Sequence, residues 1–271
     1  MMTDSNFLQI ISFILNPEYE NEFIKTTHTG SLNSYIKFFG NEILFIGQTD
    51  QPTFVHLTDI DPQSFAVKLP VGSLHANFGI SPKEISNKVF SFHDLPQSPA
   101  KEQILNVVQK EKNLIFKIRT IEKIIGNETP VDSFLKIILR EGDDSFSSVE
   151  ELSDALGYSN RQTQRLILDL TGFSPKKFLN ILRFEKCKRM IQQFSRKFDL
   201  SSISAESGFF DQSHMIRDFL KFSGVSPKYY KSRMSDLSNT KASPFVRINP
   251  TNPNGALHVQ IQKNRFQEFL V

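Results

Sequence analysis

Cysteine is nearly absent from this chain of 271 residues, where Cys187 stands alone. One thiol excludes an internal disulfide framework and a cysteine-based zinc site, and it fits a reducing interior. Its apolar neighbours at helical spacing mark it as a packed side chain rather than a reactive one. Long apolar runs are scarce too. The one signal-like stretch, Phe7-Leu-Gln-Ile-Ile-Ser-Phe-Ile-Leu15, is too short to span a bilayer. Asp4 precedes it instead of a basic residue, and Asn16-Pro-Glu is a poor cleavage site. The expectation is a cytoplasmic protein without a membrane segment, whose first apolar run belongs to a core strand or helix. There is no glycine-rich phosphate loop, and His28, His56, His75, His93 and His258 show no metal-ligand spacing. No catalytic residue, metal or cofactor is therefore expected.

What the chain does have is an ordinary globular composition, 39% hydrophobic and 23% charged, with room for two domains. The net charge of +3 conceals an asymmetry: residues 147–234 hold 15 Lys+Arg against 9 Asp+Glu, and the remainder is net acidic. Positive charge gathers where neutralising phosphate would require it, although a solvated basic face would look the same.

Residues 1–100 read as a β-rich regulatory domain with some helix, an α+β unit in which Glu42–Ile46 and Ser64–Leu69 have the look of short strands. From Lys101 to Ile125 proline and glycine are missing. Ile104, Val107, Val108, Ile115, Ile118, Ile121 and Ile125 recur there at helical spacing. The pattern resumes after Pro130 with Phe134, Ile137 and Ile138, so residues 101–141 are the expected helical linker, and their wide apolar faces make them the candidate dimerisation segment. Glu141-Gly-Asp-Asp-Ser145 is a polar break before an all-α unit at 142–236, and 237–271 is an unassigned tail.

The strongest feature is a segment that occurs twice. The first copy runs from Val149 through Gly157 and Arg165 to Gly172-Phe-Ser-Pro-Lys176. The second runs from Leu200 through Gly208 and Arg217 to Gly224-Val-Ser-Pro-Lys228. Each reads as a short amphipathic helix, a turn at glycine, and a second helix with Gln and Arg outside, the plan of a helix-turn-helix DNA reader. In the first copy Ser148 caps the opening helix and Glu151 reaches back to it; Gly157 leaves the helix in a left-handed conformation, and Ser159 with Gln162 makes a second capping box. Thr163, Leu166, Ile167 and Leu170 face inward. Arg161, Gln164 and Arg165 face out, where recognition helices meet base edges. In the second copy Asp199 and Asp211 cap, Ile203, Met215, Phe219 and Phe222 pack, and Gln212, Ser213, His214 and Arg217 are exposed. Between them, Ser174-Pro175 starts a linker helix to about Gln193 with Leu179, Leu182, Cys187, Met190 and Ile191 inside and Arg183, Lys186, Lys188 and Arg189 left for phosphate or water.

Residues 146–234 resemble the DNA-binding domain of the AraC/XylS family of bacterial transcription regulators. Gly208-Phe209, Asp211-Gln-Ser-His214, Arg217, Phe219 and Gly224-Val-Ser-Pro227 stand at that family's signature positions. The resemblance implies a sequence-specific regulator that binds double-stranded DNA, with Arg161, Gln164, Arg165, Gln212, Ser213, His214 and Arg217 at the base-facing positions. It also implies contact with RNA polymerase where such a protein activates. Two departures are visible: Ser153 and Ser204 replace the usual alanine, and Phe210 stands in place of a small polar residue before the cap. Phe65 to Leu95 more weakly resembles an uncharacterised N-terminal domain of such regulators, which implies a regulatory or dimerising role and names no effector. Gly79-Ile-Ser-Pro-Lys83 repeats the closing motif a third time, but without a Gln/Arg helix upstream it reads as a capped helix start.

Two other classes stay open at this point. The same kind of reader occurs fused to alkyl-transfer DNA-repair proteins, which use several cysteines where this chain has one. A protein-interaction scaffold would use these helices without sequence-selective DNA affinity.

Overall fold

The computed structural model describes residues 18–20, 23–39, 42–57, 65–69, 71–125, 146–193 and 199–232. The first apolar run, the helix expected after Pro130, the break at 141–145 and the tail from 237 lie outside them.

The N-terminal half is built on two antiparallel sheets. Strands β1 (Glu18–Glu20), β2 (Phe23–His28) and β5 (Thr53–Leu57) form one, in the order β1-β2-β5. Strands β3 (Ser34–Phe39), β4 (Glu42–Ile46), β6 (Phe65–Leu69) and β7 (Val89–Ser91) form the other, in the order β6-β3-β4-β7. The expected strands at 42–46 and 64–69 are β4 and β6. In β3, the central partner of this sheet, all six residues are buried, so both of its faces are covered. Ile36 and Phe38 join the apolar core, and by alternation Tyr35 and Lys37 belong to the opposite face. Burial there pushes the Lys37 ammonium down to about 8.

Helices α1 (Ser73–Phe78), α2 (Pro82–Ile85), α3 (Pro99–Lys110) and α4 (Leu114–Ile125) complete this half. Ser98 caps α3, its hydroxyl accepting from the Lys101 amide, and Pro99 takes the first turn. Ile104, Ile118, Ile121 and Ile125 join Phe45, Phe78 and Phe92 in the sheet's core. Of the expected dimerisation segment 101–141, the described part 101–125 turns these isoleucines inward, leaves Val107, Val108 and Ile124 partly covered and exposes Phe116. The third Gly-Ile-Ser-Pro-Lys motif starts α2 as expected: Ser81 and Glu84 close a capping box around Pro82.

Among its described residues the C-terminal half is helical: α5 (Val149–Leu156), α6 (Asn160–Thr171), α7 (Pro175–Gln193), α8 (Leu200–Glu206), α9 (Gln212–Ser223) and a short helical segment over 227–232. One core runs through it, centred on Leu152, Ile167, Phe178, Phe184, Ile203, Met215 and Phe219. Leu32 and Val71 of the N-terminal half belong to this same core. Helix α7 buries Phe178, Ile181 and Phe184 besides the expected Leu179, Cys187 and Ile191, while Leu182 and Met190 are only partly covered. It is enclosed on more than one side, so a single apolar stripe does not describe it.

Candidate nucleic-acid interface

Both readers are set by their caps. In the first, Ser148 accepts from the Glu151 amide at 3.2 Å. The Glu151 carboxylate does not return to Ser148, as the sequence suggested, but reaches one residue further, taking the Ser147 amide at 2.8 Å and hydroxyl at 2.7 Å. Those bonds hold its carboxyl below the usual range. Gly157 ends α5 at φ 68°, where a Cβ would be strained. Ser159 and Gln162 form the expected reciprocal box at the start of α6.

In the second reader Asp199 accepts from the amides of Ser201 and Ser202, and Asp211 from the His214 amide at 2.6 Å. Phe210 therefore costs the turn nothing in capping, because the neighbouring Asp211 does that work. Its ring is 92% exposed.

Counted from their caps, the two 12-residue recognition helices share one register. Thr163 and Met215, both fourth, are fully buried; Ile167 and Phe219, both eighth, likewise. Arg165 and Arg217 are both sixth, and both are exposed. The helix ends match in their hydrogen bonds as well. Thr171 Oγ1 donates to the Ile167 carbonyl at 2.7 Å and accepts from the Phe173 amide at 3.1 Å. Ser223 Oγ donates to the Phe219 carbonyl at 2.6 Å and accepts from the Val225 amide at 3.2 Å. The internal repeat thus extends to a hydroxyl at the last helical residue.

The outward faces differ. Arg161, Gln164 and Arg165 are exposed together on α6. On α9, Gln212, Ser213 and Arg217 are exposed, but the Gln212 amide oxygen accepts from Ser201 at 3.1 Å and Arg217 Nε donates to the Ser213 carbonyl at 3.3 Å. His214 is partly exposed, with its ring edge-on to Phe209 at 5.4 Å between centroids and Nε2 3.5 Å from Asp218, so its side chain is less open to solvent than those of Gln212, Ser213 and Arg217. Ile216 holds the fifth position, where the first reader has Gln164.

The linker helix also departs from a uniformly basic face. Lys188 turns to the N-terminal half, donating to Thr29 Oγ1 at 3.1 Å with its ammonium 5.4 Å from the Phe184 ring centroid. Burial lowers its pKa while Glu185 opposes the shift, so this lysine is not placed for phosphate. Arg183 donates to the Gly208 carbonyl at 3.4 Å and lies over the Phe209 ring, tying α7 to the second turn. Cys187 is fully buried, and burial pushes its thiol up to about 12, the setting of an inert packed thiol. Among the described residues no cluster of His, Cys, Asp and Glu is placed to hold a metal, and no helix is long and apolar enough to cross a membrane.

A helix-turn-helix domain family matches residues 152–233. No curated protein matches the chain. Among solved structures, the chain is similar to an AraC-type DNA-binding regulator from Chromobacterium violaceum, at 20% identity over 38% of this chain and 94% of that one, with a TM-score of 0.34. It is similar to the DNA-binding domain of the global transcriptional factor AdpA in complex with a target DNA, at 20% identity over 42% and 99%, TM-score 0.36. Over a longer span it is similar to ToxT from Vibrio cholerae, at 14% identity over 83% and 93%, TM-score 0.40. The family match over 152–233 coincides with the two capped readers in one register, and residues 152–233 are a helix-turn-helix domain.

Proposed function

We propose that this chain is a DNA-binding transcription regulator of the AraC type that reads two successive major grooves, about 34 Å apart on one face of the duplex, with α6 and α9. The observation that carries the reading is the shared register, which puts Arg165 and Arg217 at the same exposed place on two helices joined by α7. Arginine pairs bidentately with guanine and glutamine with adenine, so Arg161, Gln164 and Arg165 form the richer reading face. In the second reader Gln212, Ser213 and Arg217 are the candidates, and His214 serves first to brace Phe209. No catalytic role is assigned to any residue, and the buried Cys187 offers no reactive thiol.

A protein that reads a bacterial chromosome works in the cytoplasm, and activation by it would require contact with RNA polymerase. A small-molecule effector or a second copy would act through the N-terminal half. The test is an unbiased oligonucleotide selection with the full chain at moderate ionic strength. It is expected to return a motif of two half-sites about one helical turn apart, whose binding survives excess nonspecific DNA. Recovery of no motif would overturn the reading.

A further inference from the structure

Both recognition helices end on the N-terminal half, and they end on neighbouring residues of it. The amide of Gly30 donates to the Phe222 carbonyl in the last turn of α9 at 2.7 Å. The Gln48 side-chain amide donates to the Thr171 carbonyl, the last of α6, also at 2.7 Å. These carbonyls belong to the final four of their helices, which have no partner within the helix and need one from elsewhere. Gly30 and Gln48 each stand one residue before a β-bridge, in which Ser31 and Thr49 exchange backbone hydrogen bonds of 2.8 and 2.9 Å. A single bridge thus joins the two points on which the readers rest.

The surroundings stiffen it. Gln48 is 1% exposed, and its amide nitrogen also lies 2.6 Å from the Pro82 carbonyl and 2.9 Å from Ser86 Oγ. From the same two segments, contacts run to the linker helix: Ser31 Oγ donates to Glu185 at 2.8 Å, Thr29 accepts from Lys188, and Asp50 pairs with Lys177 at 2.6 Å. The fit at Gly30 is close. A Cβ there would lie 3.0 Å from Cδ1 and 3.1 Å from Cβ of Phe222.

We propose that this bridge, with Gly30 and Gln48 at its ends, is a specificity-determining clamp that sets the separation and angle of the two recognition helices and so the half-site spacing the protein accepts. The inference rests on the reading of α6 and α9 as DNA readers. Helix α7 joins the readers along the chain and through the shared core, and the clamp adds a second tie between their C-terminal ends. Two linked binding modules gain from each other only when geometry lets both engage at once. Gly30 and Gln48 are positioning residues that touch no DNA themselves, and the outward faces of α6 and α9 stay exposed while their ends are held.

The experiment uses the full chain and duplexes recovered by selection with the wild-type protein, carrying either one half-site or two, with zero to four base pairs inserted between them. Wild type is expected to lose affinity on the order of 100-fold on insertion. Gln48→Leu and Gly30→Ala, each removing or crowding one end of the clamp, are expected to keep wild-type affinity for a single half-site within about twofold while the insertion penalty falls to about tenfold or less. Should either variant fail to melt cooperatively, Asp50→Asn and Thr29→Ala, at less enclosed positions, take its place. An insertion penalty unchanged in the variants overturns the clamp, as does an equal loss on single and paired sites or a wild type indifferent to insertion. Wild-type protein without any sequence preference would overturn the DNA-reading function itself, a result distinct from these.

Discussion

The two readers are one design executed with different chemistry. The first fills its fourth recognition-helix position with Thr163 and presents Arg161, Gln164 and Arg165. The second fills it with Met215, packs Phe219 and Phe222 beneath, and spends His214 on an edge-on contact with Phe209. Phe184 of the linker helix touches Phe219 and Phe222 with ring centroids 5.2 Å apart in each case, so the second reader carries the aromatic core of the pair. The difference suggests a division of labour: the second reader is the better packed platform, the first the richer in groups free to read bases.

The largest test of that division is stability. Met215→Ala removes a fully buried side chain and is expected to cost about 2–5 kcal/mol, read as the shift in a denaturant midpoint. A loss under 1 kcal/mol would mean the second reader is not the firmer half. Next comes recognition. Arg165→Ala and Arg217→Ala are each expected to cost about 1–3 kcal/mol of site-specific binding and to relax preference at one base position, in opposite half-sites. Equal loss on every sequence would identify a phosphate contact instead. The caps follow: Ser159→Ala and Asp211→Ala should each destabilise by about 1 kcal/mol, and similar values would show that the two turns are equivalent despite Phe210. The smallest effect is a gain. Thr163 Oγ1 is buried without a hydrogen-bond partner among the described residues, so Thr163→Val should stabilise by about 0.5–1 kcal/mol in the same melts.

The reader domain was legible because its signals are local. A cap acts over three residues and a turn glycine over one, so Ser159, Asp199, Asp211 and Gly157 could be placed from sequence alone. Glu151 was misplaced by one residue because Ser147 and Ser148 both offer a hydroxyl and an amide, and only geometry chooses between them. The buried Phe178, Ile181 and Phe184 escaped because they line the sides of α7 that meet different neighbours. Nothing in the sequence marks Gln48 or Gly30. Their partners on the recognition helices lie more than 120 residues away, and neither sits in a periodic pattern. The α2 motif was read correctly as a helix start, but not as a surface for α6, since docking leaves no local trace.

Gly172 shows what such docking implies for module exchange. A methyl group on it would sit 2.6 Å from Ser86 Oγ and 2.9 Å from the Pro82 carbonyl, so the end of the first recognition helix is moulded to one particular turn of the preceding half. A reader borrowed from another regulator would arrive without that fit. Chimeras that keep their grip on DNA are therefore those that transplant the matching surface, residues 81–86, together with the helix it supports.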